Sequence, residues 1–358
     1  MTKQRSRRDV LGALGVAGLG GLAGCVGTDG GSGAKSATDS TGSGSSSTGE
    51  ASASSDSSGT VQLFHAGSLT AAFDDLEDGF TERYDAAVSQ ESAGSVRSTK
   101  KITQPPHRAA DVLAVADFRL LRDDLLPDYG DWYAIFSTNA MTLAYTDDSA
   151  YADEITPDNW WDVLTRDDVS VAHSDPAVDP NGYRSLMSMD LGAIPFRGDA
   201  LYDDATARSL KDNAHVPASD EVALLSQLHS GKIDYAWEYQ STSATHDVNT
   251  LDLQHAVDLS KATSAYADHY AKATVNAGGT TYTGAPIAYG ITVPNTAEHP
   301  DWGAKWIAYA LGDGADVVAR DGFSALDTAV VPASSSDAVP DAVMAEAKAK
   351  SSLGPLSL

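Results

Sequence analysis

Short apolar runs alternate along the chain with stretches whose apolar residues recur at helical spacing. Val61–His65 is one such run, and Ala66-Gly67-Ser68 after it reads as a turn. Leu69, Ala72, Phe73, Leu76, Phe80 and Tyr84 then mark one face of a helix, with Ser68 placed as its N-cap. Val88–Gln90 reads as a second strand that ends in Ser92-Ala93-Gly94-Ser95, ahead of a basic helical stretch through Lys101. Asp111–Ala116 is apolar enough for a buried strand, and Trp132–Tyr145, long and rich in β-formers, reads as a connecting strand. Thr156-Pro157 opens a helix through Leu164, because proline suits a first helical position. Val169–Ala172 is a strand. Asp220–His229 is a helix with Leu224, Leu225 and Leu228 on one side, ended by Gly231. Ile233–Tyr239 and Pro286–Val293 are strands, the latter returning the chain to the first domain, and Trp302–Leu311 and Ala342–Lys350 are helices. Strands alternating with helices predict an α/β architecture with parallel sheets. There is no internal repeat.

The first sixty residues follow a different pattern. Lys3, Arg5, Arg7 and Arg8 stand in a start that lacks acids, and Val10–Gly24 is a Gly/Ala/Leu/Val run of 15 residues. A membrane-spanning helix needs about 20 residues, so the run reads as an export signal. Arg7-Arg8 after Ser6, with Leu11 following, resembles a twin-arginine signal. Leu22-Ala23-Gly24-Cys25 resembles a lipoprotein cleavage box, which implies that Cys25 becomes the lipidated first residue of the mature chain. Residues 26–60 are nearly all Gly, Ser, Thr, Ala and Asp and form a flexible linker, since nothing in them offsets the entropy of ordering. Residues 1–25 are thus read as signal and 26–60 as leash. The payload would then be held at the outer face of the cell membrane through lipid on Cys25.

Composition narrows the payload. A length of 358 residues with 42% hydrophobic positions supports a sizeable core and two domains. Lys+Arg 24 against Asp+Glu 50 gives a net charge of −26, which repels nucleic acid and anionic lipid. The same acidity fits a halophilic protein, whose self-repulsion is screened by salt. Cys25 is the sole cysteine, so no intrachain disulfide and no cysteine metal cluster can form.

Candidate chemistry lies at strand ends. Gly67-Ser68 and Gly94-Ser95 each follow a strand and open a helix. Free N–H groups, a hydroxyl and the positive dipole end together make an anion cradle there, although ordinary caps and tight turns would look the same. Asp179, in Asp175-Pro176-Ala177-Val178-Asp179-Pro180-Asn181-Gly182-Tyr183-Arg184, could simply cap the apolar stretch after it. Glu221 could simply favour a first helical turn. Three classes stay open on these residues: a binding protein for a small anion or ion, an exported hydrolase, and a structural surface lipoprotein. The hydrolase has little support, because the payload holds neither G-x-S-x-G nor H-E-x-x-H and its histidines, His65 and His173 among them, are scattered.

Phe64-His65-Ala66-Gly67-Ser68-Leu69, Ala93-Gly94-Ser95, Ala110-Asp111-Val112, Asp131-Trp132-Tyr133, Ser174-Asp175-Pro176, Asp179-Pro180-Asn181-Gly182-Tyr183-Arg184-Ser185-Leu186-Met187 and Gly290-Ile291-Thr292-Val293-Pro294 occur in one order. In this the chain resembles the archaeal tungstate/molybdate-binding proteins that feed an ABC transporter, over about residues 61–333. The resemblance implies a two-lobed periplasmic-binding-protein fold of type II, each lobe a sheet flanked by helices. Lobe 1 would comprise 61–140 with 285–358, and lobe 2 141–284. It implies a monomer that captures a small oxyanion between its lobes and hands it to the permease, without cofactor or catalysis. The ligand-contacting positions carried over are Gly67, Ser68, Ser95, Asp179, Pro180, Asn181, Glu221 and Tyr239, with Glu238 the runner-up to Glu221. Asp179 and Glu221 would bond to the tungsten or molybdenum. Such hard, hexavalent centres expand their coordination with carboxylate oxygens, as sulfur and phosphorus do not so readily. Sulfate, phosphate or ferric ion is the alternative cargo. Asn181 stands where relatives often carry Cys, and the stretch from Arg184 to Glu221 is shorter than in many of them. The connections at 132–145 and 284–293 are expected to serve as hinges.

Overall fold

In the computed structural model, which describes residues 59–218 and 220–358, the strands are β1 (Thr60–His65), β2 (Ala87–Ser92), β3 (Val112–Val115), β4 (Ala134–Thr138), β5 (Met141–Tyr145), β6 (Val171–Ser174), β7 (Ala214–Ala218), β8 (Tyr235–Tyr239), β9 (Asn249–Asp252), β10 (Thr274–Ala277), β11 (Thr280–Thr283), β12 (Ala288–Thr292), β13 (Ser324–Pro332) and β14 (Ala347–Lys350). The helices used below are α1 (Thr70–Tyr84), α2 (Ser95–Thr103), α3 (Trp160–Leu164), α4 (Pro180–Leu191), α5 (Asp204–Asn213), α6 (Val222–His229), α7 (Gln240–Ala244), α8 (Ser264–Tyr270) and α9 (Pro300–Leu311). The export signal, Cys25 and the linker up to residue 58 lie outside the described residues. Among the described residues no helix is long and apolar enough to cross a membrane.

Two sheets take all of these strands except β10 and β11, which pair with each other as a separate antiparallel hairpin. One has seven strands in the order β14-β13-β4-β12-β3-β1-β2, and the other five in the order β7-β6-β8-β5-β9. Each is mixed rather than parallel throughout. β1–β2, β1–β3, β13–β14, β6–β7 and β6–β8 run parallel, while β12 and β5 pair antiparallel with both of their neighbours. The stretch expected as a single connecting strand is two. It breaks at Asn139-Ala140 so that β4 joins the first sheet and β5 the second. The chain returns to the first sheet after β11, and β12 inserts between β3 and β4.

Local rules explain most of the elements. β3 is buried along its whole length, as expected of a central strand covered on both faces. α1 buries Ala72, Phe73, Leu76 and Phe80 and stops at Asp85 in the left-handed region, φ 49°. Phe73 and Phe80 meet Trp306 of α9 edge-on, while Trp160 of α3 meets Trp237 and Tyr202 in the second lobe. α6 lays Leu224, Leu225 and Leu228 on Ala144, Ala172 and Ala236 of the second sheet.

Four local expectations are corrected. Ser68 does not cap α1. A single 3-10 turn, Gly67–Leu69, comes first and leaves Leu69 at the cap position. The helix expected from Pro157 begins only at Trp160, because Asn159 Oδ1 takes the Thr156 N–H and hydroxyl and holds 157–159 as a turn. Of the helix expected at 342–350, only Asp341–Met344 is helical. Ala347–Lys350 pairs parallel with β13 as β14. The strand at 169–172 is displaced to 171–174.

Candidate functional site

Register gathers the site. His65 lies level with Ser92 on one side and Ala114 on the other, so the turns leaving β1, β2 and β3 meet at one rim of the first sheet. In the second sheet Ser174 lies level with Ala218, so the segments leading into α4 and α6 start side by side. All leave the carboxyl ends of parallel strands, where open α/β sheets hold their ligands.

The two rims face each other across the lobes. Gly67 and Ser68 approach Glu221: the Ser68 N–H donates to Glu221 Oε1 at 2.7 Å. A Cβ on Gly67 would sit 3.2 Å from both Glu221 carboxylate oxygens. Gly94 abuts the Asp179 segment so tightly that a Cβ would fall 2.5 Å from the Val178 carbonyl oxygen. The Arg97 N–H donates to that same carbonyl at 3.1 Å. Ser68 Oγ bonds Tyr289 Oη at 2.8 Å, and Asn139 Nδ2 donates to Tyr289 Oη and to Ser241 Oγ. Ser95 Oγ accepts the Ala116 N–H at 2.9 Å.

The acids are placed by helix starts. Asp179 is the N-cap of α4, with Pro180 at the first position, and its Oδ1 accepts the Asn181 N–H at 3.1 Å. Capping uses only one oxygen. Oδ2 is buried without a hydrogen-bond donor, as are Glu221 Oε2 and both Glu238 oxygens. Glu221 precedes α6 but does not cap it, because Asp220 Oδ1 takes the Ala223 N–H. Asp179, Glu221 and Glu238 are each at most 1% exposed. Burial, then the charge of Glu221, holds the Asp179 carboxyl well above its ordinary range. Burial, then the Glu221 and Asp179 charges, does the same to Glu238. The family resemblance posed Glu221 and Glu238 as rivals for one role. The structure brings both into one acidic cluster with Asp179, because β8 runs beside β6.

The remaining candidates are close by. The Asn181 side chain is buried, its Oδ1 accepting from Ser174 and Ser185 hydroxyls while Nδ2 has no partner among the described residues. Tyr239 is buried, and its hydroxyl accepts from Arg184 at 2.8 Å. Arg184 also donates to the Ala116 carbonyl at 2.9 Å and lies 3.4 Å from Asp117 Oδ2, which accepts from the Tyr183 hydroxyl at 2.8 Å. Burial alone would raise Asp117, but Arg119 and Arg184, with Tyr183, hold it well below the ordinary carboxylate range. Tyr289, Asp117 and the contacts of Arg184 escaped the sequence reading. Only the motif around Arg184 offered a signal. His65 and His173 are buried and bond the next residue's own carbonyl, and burial lowers both, His65 to about 4.

Among the described residues no group of three or more His, Cys, Asp or Glu side chains is arranged to hold a metal ion. A surface hollow of about 510 Å³ beside Asp147, His229 and Asp247 involves none of the site residues. The geometry is that of a closed cleft. One lobe offers neutral N–H and hydroxyl groups, and the other offers acids.

Two lobes of helix-flanked mixed sheet, joined by paired crossings and meeting over buried polar groups, define a two-lobed solute-binding protein. The family model described as bacterial extracellular solute-binding protein matches residues 61–324, and the chain belongs to that family. It is thus a solute-binding protein rather than an enzyme. An uncharacterized solute-binding protein of Methanoculleus marisnigri is 37% identical over 81% of this chain and 87% of its own. The molybdate/tungstate-binding protein WtpA of Thermococcus kodakarensis is 32% identical over 73% of this chain and 80% of its own. Among solved structures, the periplasmic molybdate-binding protein of Azotobacter vinelandii shares the fold, with TM-score 0.51 at 16% identity over 74% of this chain and 98% of that one.

Proposed function

We propose that the chain captures tungstate or molybdate between its lobes and delivers it to an ABC transporter permease. In this reading it is a monomer, exported by the twin-arginine route, anchored by lipid on Cys25 and working in high salt. The observation that carries the reading is the pair Asp179 Oδ2 and Glu221 Oε2, buried acceptors without donors at a place ringed by N–H and hydroxyl groups. Two such acids repel an ordinary tetrahedral dianion, and desolvation sharpens the repulsion. A hexavalent metal centre reverses the sign, because each acid gives it an oxygen and becomes a bond. Gly67, Ser68, Ser95, Pro180, Asn181 and Tyr239 then hold the oxo groups. The relative named for molybdate and tungstate supports the choice of cargo.

Calorimetry with tungstate and sulfate, on the native chain and on Glu221→Gln, tests this. The native chain takes tungstate far more tightly. The substitution lowers tungstate affinity by about 100-fold or more, on the scale of losing a buried charge pair, and barely moves any residual sulfate binding. Equal small effects on both anions would reject direct coordination. Thermal stabilisation of the native chain by sulfate, phosphate or ferric ion but not tungstate would reject the cargo.

A further inference from the structure

The β10–β11 hairpin turns at Gly278-Gly279, whose φ values of 58° and 85° suit a two-residue hairpin loop. It lies on the start of α4. A Cβ on Gly278 would sit 3.3 Å from the Ala177 carbonyl oxygen, and Tyr282 stacks flat on Tyr183, with ring centroids 4.1 Å apart and 11° between the planes. The far end of the hairpin is held from the first lobe, where Arg119 Nη1 donates to the Thr283 carbonyl at 2.6 Å. Tyr183 is fully buried, and its hydroxyl donates to Asp117 Oδ2 at 2.8 Å. Asp117 follows β3 of the first sheet, and Tyr183 stands in α4, after β6 of the second, so this bond joins the lobes. Its direction is fixed. Arg119 and Arg184 keep Asp117 ionised against the effect of burial, which leaves it an acceptor only. Burial, then the Asp117 charge, raises Tyr183 well above its ordinary value, so the phenol keeps the proton it donates.

We infer that Tyr183 and Asp117 form a lock that slows release of the solute by holding the lobes closed, and that Tyr282 is the positioning residue that keeps the Tyr183 ring in line with Asp117. The inference rests on the proposed reading for the identity of the solute. None of these three residues is among those assigned to solute contact. The lock opens without stranding a charge. Asp117 keeps Arg119 in its own segment, bonded through Nε and Nη2, so only the Tyr183 hydroxyl exchanges its partner for water. Arg184 Nη1 also crosses to the Ala116 carbonyl, so losing the lock loosens the closed form without abolishing it. The bond forms only once the lobes have met. Its loss therefore acts on release rather than on capture. Tyr282 acts through Tyr183 alone: without the Tyr183 hydroxyl the stack has nothing to aim.

Stopped-flow release and calorimetry on the full chain, with tungstate and sulfate as probes, test the lock. Tyr183→Phe keeps the stack and removes only the hydroxyl. It speeds tungstate release about tenfold, on the scale of one hydrogen bond to a charged group, and leaves the association rate within about twofold. Tyr282→Leu keeps the hydroxyl and loses the stack. It speeds release about threefold in the native background and not at all in the Tyr183→Phe background. A hairpin that merely supports the fold would give Tyr282→Leu the same effect in both. Unchanged release in Tyr183→Phe, a slower association that accounts for its lost affinity, or an effect of Tyr282→Leu that persists beside Tyr183→Phe overturns the inference. If Tyr282→Leu fails to fold, Tyr183→Phe combined with Asp117→Asn decides. A double variant that loses less than the product of the two supports the lock, and one equal to the product overturns it. If the native chain takes sulfate and not tungstate, the functional reading falls, and the same release rates measured on sulfate decide the lock.

Discussion

The two lobes solve the approach to a small solute in opposite ways. The first lobe presents Gly67, Ser68, Gly94 and Ser95 at the ends of β1 and β2, a neutral set whose donors are a backbone N–H and hydroxyls. Any oxyanion would be at home against it. The second lobe presents Asp179, Glu221 and Glu238, which almost any oxyanion would avoid. Such an asymmetry separates two tasks. In the proposed reading, general affinity for oxygen belongs to the first rim and the choice of central atom to the second.

The strongest way to break this division is to keep the rims apart. Gly94→Ala leaves the local backbone conformation acceptable, φ −52°, yet puts a methyl 2.5 Å from the Val178 oxygen and 2.9 Å from Asp179 Cβ. Backbone cannot yield as a side chain does. Tungstate affinity should fall by about 100-fold or more, with small-angle scattering showing an open form at saturating ligand. Near-native binding would mean that the lobes do not meet at this contact. A milder cut is Ser95→Ala, which removes one neutral donor. It should weaken tungstate and sulfate alike, each by about tenfold. A loss confined to tungstate would move selectivity into the first lobe.

The smallest effect lies in stability. Asp179 and Glu238 are held above their ordinary values, so the folded chain keeps protons that the unfolded chain has released above about pH 4. Ligand-free stability should therefore fall as pH rises from about 4 toward neutral, the sign opposite to that of a salt-bridged carboxylate. Glu238→Gln removes part of that slope and should raise the ligand-free Tm at neutral pH by roughly 2–4 °C. An unchanged or lower Tm would take Glu238 out of the charge cluster.

Much of the frame was legible because its signals are local. Apolar runs located β1, β3 and β8, and the Asp179-Pro180 pair announced the start of α4. What resisted depends on partners far along the chain. β14, Ala347-Lys348-Ala349-Lys350, is made of good helix formers and is a strand only because β13 lies beside it. β7 carries Pro217 and sits at a sheet edge, where proline is tolerated but the strand signal is weak. At the site, the family resemblance pointed to Asp179 and Glu221 but could not show that Asp220 relieves Glu221 of capping. Nor could it show that the Ser68 hydroxyl turns to Tyr289, 221 positions away.

The bond from the Ser68 amide to Glu221 has a consequence for traffic through the cleft. The amide most suited to greet an arriving anion is already held by a tethered carboxylate, a resident rival at high effective concentration. Dissolved anions that can only accept hydrogen bonds must evict it. A solute that can bind the rival itself converts the obstacle into a handle, so admission and grip depend on one side chain.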